Sequence, residues 1–409
     1  MVKQIDRNLP KIRFKGFKGK WVEDQLGKRV EFFSGLTYSP RNVQKGVGTL
    51  VLRSSNIKKG EIVNADNVYV DPKIVNSKNV EVGDIAVVVR NGSRSLIGKH
   101  AQIKSRMDNT VIGAFMTGIH SENPAFTNAL LDTSQFDKEI EKNLGATINQ
   151  ITTGAFRQMM FRFPSDTEQT KIGEYFQELD RLIGLHQHKH DKLVTLKKAM
   201  LQKMLPQPGA TTPEIRFKGF SGEWVEKKLG ELCEIVGGGT PSTAIQEYWG
   251  GDIDWYSPTE IGDDVYASGS VKTITPLGLT KCSAKMLPRD RTILFTSRAG
   301  IGDMAILTKE GCTNQGFQSL VLHDDIDPYF IFSMRHLIKV HALKYASGST
   351  FLEVSSKQLE KMKILLPKDK EQKKIGTYFR TLDELISKHA IQLQKLKQIK
   401  SACLEKMFV

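Results

Sequence analysis

Apolar residues between Glu168 and Leu205 fall at Ile172, Phe176, Leu179, Ile183, Leu193, Met200 and Met204, spaced by threes, fours and their sums. That rhythm predicts one long α-helix with a narrow, coiled-coil-like apolar seam. Ser165-Asp-Thr-Glu168 supplies a capping-box pattern at its start, and Pro206-Gln-Pro-Gly209 stops it. A second helix of the same kind runs through Ile375, Phe379, Leu382, Ile386, Leu393, Leu396, Cys403 and Met407. Elsewhere the pattern changes to short β-type runs, such as Gly83-Asp-Ile-Ala-Val-Val-Val-Arg90 and Asp290-Arg-Thr-Ile-Leu-Phe-Thr296, punctuated by Gly, Asn and Ser.

A seam this narrow needs a partner, because most helix stability comes from burying the apolar face. Each helix could pack on the other, which would relate the two halves by an approximate two-fold axis and point their variable regions in opposite directions. Each could instead pack on its own globular half. Both alternatives stand at this point.

Self-comparison organises the rest of the chain. Pro10-Lys-Ile-Arg-Phe-Lys-Gly-Phe-Lys-Gly-Lys-Trp-Val-Glu23 returns as Pro213-Glu-Ile-Arg-Phe-Lys-Gly-Phe-Ser-Gly-Glu-Trp-Val-Glu226, with 11 of 14 positions identical at an offset of 203. The helix openings, from Glu168 and from Glu371, match at 11 of 16 positions with the same offset. Between these segments the halves share only echoes, such as Ile97-Gly98 and Ile301-Gly302. A duplicated enzyme would be expected to keep its catalytic residues in both copies, whereas a duplicated reader needs one mount with different contents. The pattern therefore favours recognition over catalysis.

Composition narrows the partner. The formal net charge is +14, from 59 Lys and Arg against 45 Asp and Glu, which favours a polyanion, nucleic acid above all. With 39% hydrophobic and 25% charged residues, the chain reads as globular, without a membrane span. Met1-Val-Lys-Gln-Ile-Asp-Arg7 has no apolar h-region, so the expectation is a cytoplasmic protein. Cys233, Cys282, Cys312 and Cys403 form no C-x-x-C pair and are read as reduced structural thiols.

The β-type runs lead into polar, basic loops, Arg90-Asn-Gly-Ser-Arg94 and Ser297-Arg-Ala-Gly-Ile-Gly302. Their glycines permit close backbone approach, and their arginines can fork onto guanine or phosphate. Catalytic signatures fail inspection. Gly92-Ser-Arg-Ser-Leu-Ile-Gly-Lys99 has five residues between its glycines and His100 where a phosphate loop needs Ser or Thr. Asn123-Pro-Ala-Phe126 lacks the second proline of an amino-methyltransferase signature and reads as a turn before a helix. His186, His188 and His190 lack a third ligand nearby and read as polar seam positions.

The whole arrangement resembles the specificity subunits of type I restriction-modification systems. The likeness rests on Phe-Lys-Gly-Phe-x-Gly-x-Trp, the Gly-rich openings Phe33-Ser-Gly-Leu-Thr37 and Val236-Gly-Gly-Gly-Thr-Pro241, Glu-Gln-x-Lys-Ile-Gly-x-Tyr-Phe at each helix start, Gly348-Ser-Thr350 and Ser356-Lys-Gln-Leu-Glu360. The first copy departs from the last element with Thr153-Gly-Ala-Phe-Arg157.

The resemblance implies an α+β fold with internal pseudo-two-fold duplication. Two α/β target recognition domains, at 1–165 and 213–366, would alternate with helical spacers at 166–212 and 367–409, the long helices packing as an antiparallel coiled coil. It further implies a bipartite double-stranded DNA target, two methyltransferase subunits and two restriction subunits. Those partners would use S-adenosylmethionine, ATP and Mg2+, and this chain would bind no cofactor or metal and catalyse nothing. Candidate DNA contacts are Thr37, Arg53, Arg90, Asn91, Arg94 and Lys99 in the first half, and Thr240, Tyr256, Ser297, Arg298, Asn314, Gln315 and Ser349 in the second. Ile172, Phe176, Leu179, Ile183, Leu193, Ile375, Phe379, Leu382, Ile386 and Leu396 are the expected seam and docking positions. The competing class is a basic coiled-coil scaffold whose duplicated heads bind proteins.

Overall fold

The computed structural model describes residues 9–144, 149–348 and 352–409. They fall into two compact units, 1–187 with 391–409 and 188–390, so each unit holds one head, the start of one long helix and the end of the other.

In the first unit the apolar run after Gly83 becomes strand Ile85–Val88, buried at every position. A strand covered on both faces needs a continuous apolar run, which is what the sequence has there. It lies in an antiparallel sheet ordered Glu31–Ser34, Met116–His120, Ile85–Val88, His100–Gln102. A second sheet sets Thr110–Ile112 parallel to Thr49–Leu52, with Val68–Val70 and Val43–Gln44 beyond. Helices Pro124–Leu131 and Ser134–Asn143 contribute Phe126, Leu130, Phe136 and Ile140 to the same core as Ile85 and Val87. Asn123 stands at the N-terminus of the first of these helices, as the turn reading expects.

The second unit repeats this topology. Cys233–Gly237, Gln318–Leu322, Thr292–Phe295 and Met304–Leu307 form the antiparallel sheet, extended at its edge by Tyr266–Ala267. Trp249–Tyr256 pairs in parallel with Gly311–Thr313 and antiparallel with Lys272–Ile274. Head interiors that share only echoes in sequence thus share strand order and direction. Cys233 and Cys312 are buried free thiols, pushed up to about 12 by burial, consistent with structural roles.

The repeated motif is a clasp. Arg13 donates both to the carbonyls of Lys18 and Gly19 in its own loop and to Glu168, with Nε–Oε1 and Nη2–Oε2 distances of 2.7 Å. Arg216 does the same with Ser221, Gly222 and Glu371, at 2.6 Å for both carboxylate contacts. Glu168 and Glu371 are each 1% exposed. Glu168, read from spacing as half of a capping box, therefore gives both carboxylate oxygens to a residue far away in sequence. Gly16 and Gly219 take φ of +98° and +97°, a left-handed turn that favours glycine. Short ribbons, Val22–Gln25 with Met160–Phe163 and Val225–Lys228 with Lys363–Leu366, tie each motif to the strand preceding its long helix.

The long helices span Asp166–Met204 and Asp369–Met407, the first stopping before Pro206 as expected. In the first unit Tyr175 meets Cys403 at 3.4 Å, and Asp180 meets Lys400 at 2.7 Å. In the second, Lys197 is ion-paired with Asp383. Residue numbers rise on one helix as they fall on the other, so the helices run antiparallel. Equivalent lysines take equivalent aspartates in the two units, the reciprocity expected of paired duplicates. The seam residues also enter the head cores. Ile172, Phe176 and Leu179 are buried in the first unit, where Leu396 and Cys403 pack on the core; Ile375, Phe379 and Leu382 are buried in the second, where Leu193 and Met200 pack. Ile183 and Ile386 are half-buried. Both packing alternatives left open by the sequence are realised in each unit.

Candidate nucleic-acid interface

In the first head, the connection between Ile85–Val88 and His100–Gln102 carries Arg90, Asn91, Arg94 and Lys99. Asn91 donates to the Ser54 hydroxyl at 3.0 Å and accepts from the Ser93 N–H, so its amide orders its own loop. Lys99 donates to the Ser54 carbonyl at 3.1 Å. Burial, then the charge of Lys58, pulls the Lys99 ammonium below its ordinary value. Arg53 lies on the neighbouring turn and donates to the Asp66 carbonyl at 2.6 Å. Arg90 lies over the Phe115 ring, 4.9 Å from its centroid, and Phe115 is 55% exposed. Asn149 donates to the Gly92 carbonyl and accepts from the Asn91 N–H, bringing in the segment before the ribbon strand. Thr37 is exposed beside Leu36, whose carbonyl accepts from Ala114 N–H. Arg94 opens a 3-10 turn, Arg94–Leu96, and is exposed. The six candidates of this head thus lie on loops joined at one end of its sheets.

Gly35 explains the Gly-rich opening, since a Cβ there would stand 2.0 Å from the Gly113 carbonyl oxygen. Gly238 repeats the requirement at 2.1 Å from the Asn314 carbonyl oxygen. In both heads the chain can enter this end only with its backbone pressed against a neighbouring strand end.

In the second head Thr240 donates to Gln315 Oε1 at 2.6 Å, and Asn314 Oδ1 accepts from the Gly316 N–H. Arg298 leaves the central strand and pairs with Glu353 at 2.9 Å, both side chains partly exposed. Two candidates are corrected. Tyr256 is 1% exposed, and burial, with Asp254 and Glu260 nearby, pushes its phenol up to about 12. It pairs with Thr313 as Leu52 pairs with Ile112, an inward position in both heads. Ser297 is fully buried at the place that Val89 fills in the first head. Neither hydroxyl can reach an external ligand without rearrangement. Ser349 lies outside the described residues.

Sequence reasoning missed Phe115, Gln150 and Glu353. Phe115 is a large exposed aromatic where the chain turns between two buried strands, a signal that an alternation count could have caught. Gln150 and Glu353 join the site through bridges to residues far off in sequence, which no local pattern reports.

Among the described residues no helix is long and apolar enough to cross a membrane. Residues 221–400 match the family described as the type I restriction modification DNA specificity domain. The chain is 34% identical over 192 residues to the type I restriction enzyme MjaIX specificity subunit of Methanocaldococcus jannaschii, covering 46% of this chain and 44% of that one. It is 23% identical over 436 residues to the HindI specificity subunit of Haemophilus influenzae, covering 86% and 92%. Its fold is similar to the crystal structure of a type I restriction-modification system S subunit from M. genitalium, with a TM-score of 0.65 at 15% identity, covering 98% and 99%. The chain spans about half the length of the first such relatives, from 43% to 59%. The domain match over residues 221–400 and the partial likeness to these relatives make the chain similar to type I restriction enzyme specificity subunits, and the S subunit structure shares its fold.

Proposed function

We propose that the chain reads a bipartite target in double-stranded DNA, one half-site per head, as the non-catalytic member of a type I restriction-modification complex. The observation that carries this reading is the recurrence of one loop constellation, with different side chains, at the same end of two heads that share the order and direction of their central strands. In this reading the paired helices dock two methyltransferase and two restriction subunits. Adenine methylation with S-adenosylmethionine, and ATP- and Mg2+-driven translocation and cleavage, belong to those partners. The helices also act as a ruler, and inserting four residues near Thr195 would add about 6 Å to one of them. The spacer between half-sites should then grow by one or two base-pair steps with the half-sites unaltered.

A genome methylation map of a strain with and without this chain tests the proposal. A split adenine-methylated motif that disappears with the chain is the expected result, and identical maps would count against it. The purified chain alone, given labelled S-adenosylmethionine or ATP with magnesium, should turn over neither.

One observation favours a protein-binding scaffold instead. Helix Arg335–Tyr345 exposes Leu337, Val340, Leu343 and Tyr345, and exposed apolar patches often mark protein contacts. Salt decides between the readings, because DNA binding must weaken steeply as salt rises and a protein-binding head has no such requirement.

A further inference from the structure

Arg90 and Arg298 occupy the same backbone site in the two heads, although the loops around them differ in length. Val89, before Arg90, donates its N–H to the Phe115 carbonyl at 3.0 Å and accepts from Ile151 N–H at 2.9 Å. Ser297, before Arg298, donates to the Gly316 carbonyl at 2.7 Å and accepts from Val354 N–H at 3.2 Å. Each loop ends on a left-handed glycine, Gly98 at φ +85° and Gly302 at φ +90°. The residue facing each arginine is then also equivalent, being Gln150, before Ile151, in one head and Glu353, before Val354, in the other.

What holds each guanidinium differs. Phe115 lies beneath Arg90, and Glu353 grips Arg298. Both arginines remain accessible, Arg298 with 48% of its side chain exposed. An exposed ion pair of this kind contributes little to stability. A carboxylate beside the arginine also argues against a phosphate contact, since a phosphodiester would be repelled by it. A base edge satisfies both groups, because the arginine fork matches O6 and N7 of guanine while a glutamate accepts from the N4 amino group of cytosine.

Resting on the DNA-reading function proposed above, we infer that Arg90 and Arg298 each read a guanine at equivalent positions of the two half-sites. Glu353 accepts from the amino group of the cytosine paired with the guanine of Arg298. Gln150, which is neutral, leaves the first head without that carboxylate contact. Each half-site therefore carries one G·C pair at the same place relative to its head, within surroundings that differ.

The full-length chain and its Arg90→Ala, Arg298→Ala, Arg298→Lys and Glu353→Ala variants are each mixed with a pool of randomised duplexes, and the bound fraction is sequenced. Melting temperatures are taken in parallel to show that each variant is folded. The wild type should enrich two half-sites, each with a guanine at the corresponding position. Arg90→Ala should lose the guanine preference in one half-site only. Arg298→Ala should lose it in the other only, by roughly 5- to 150-fold in discrimination, and Arg298→Lys should lose it too because an ammonium keeps the charge without the fork. Replacing the paired cytosine by N4-methylcytosine, which removes the groove-facing hydrogen, should weaken the wild type and leave Glu353→Ala unaffected.

If Arg298→Ala keeps the guanine, or weakens every duplex alike, Arg298 touches phosphate or nothing and the inference is overturned. Indifference of the wild type to N4-methylcytosine would remove Glu353 from the reading. Enrichment of no sequence by the wild type would instead overturn DNA reading itself.

Discussion

After the left-handed glycine that closes the interface loop, the first head carries Lys99, donating to the Ser54 carbonyl, whereas the second carries Asp303, tied to Lys339 at 2.7 Å. At the opposite extreme, the carboxylate contacts of Arg13 with Glu168 and of Arg216 with Glu371 agree to within 0.1 Å, at 2.7 and 2.6 Å. The contrast separates what a head needs in order to fold from what it presents. Groups that satisfy buried charge and hold the motif to the long helix recur, and groups that face outward have changed even in sign. A duplicated mount with exchangeable contents follows from that division, and so do the ways to break it.

The largest expected effect is on the clasp. Arg216→Ala leaves the Glu371 carboxylate buried without its partner, and denaturant unfolding should show a loss of about 3 kcal/mol. Arg13→Ala should cost about the same. A second variant replacing both Arg216 and Glu371 by leucine should recover most of the loss, since no uncompensated charge is left behind. Strongly unequal effects of Arg13→Ala and Arg216→Ala would show that the two clasps are not energetic equivalents.

A smaller effect distinguishes the heads by pH. Burial raises the Asp132 carboxyl, but His100 and Lys400 more than offset this and hold it at about 2. A carboxyl depressed below its ordinary 3.8 contributes stability that is present above that value and lost as pH falls towards 2. Acid titration of stability should therefore lose about 2 kcal/mol across that window, and Asp132→Asn should flatten it. In the second head the equivalent lysine, Lys197, meets Asp383, which also accepts from the Tyr329 hydroxyl at 2.6 Å. An unchanged acid profile in Asp132→Asn would place the acid sensitivity elsewhere.

The smallest effect compares the two loop-closing glycines. A Cβ on Gly302 would meet the Lys339 side chain at 2.6 Å, and one on Gly98 would meet Ile140 at 3.2 Å. Both positions have positive φ, so alanine should cost about 1 kcal/mol at Gly98 and somewhat more at Gly302. Thermal melting reads the order, and a larger cost at Gly98 would reverse the assignment of tight and roomy closures.

Much of this was legible because periodicity is local. The seam from Ile172 to Met204 and the continuous run Ile85–Val88 predict their elements directly, and Pro206 stops the helix where expected. The clasp was visible only as a repeated motif, since Arg13 and Glu168 are 155 residues apart and spacing cannot join them. Tyr256 and Ser297 were misread because a polar side chain at the end of a strand carries no mark of which face it lies on. The equivalence of Arg90 and Arg298 is hidden from a fixed-offset comparison by loops of unequal length, and it becomes visible only through the backbone bonds of Val89 and Ser297. Glu353 belongs to the site through Arg298, a partner distant in sequence, so its role had no local signal.

Exchange of the first head's contents tests the central claim most directly. Residues 39–143 are replaced by the corresponding segment of a type I restriction enzyme specificity subunit, leaving the clasp, ribbon and long helices in place, and genomic methylation is mapped in a strain that supplies the methyltransferase subunits. One half-site should change while the other half-site stays as it was. Alteration of both half-sites together, or of neither, would contradict a mount that holds two independent readers.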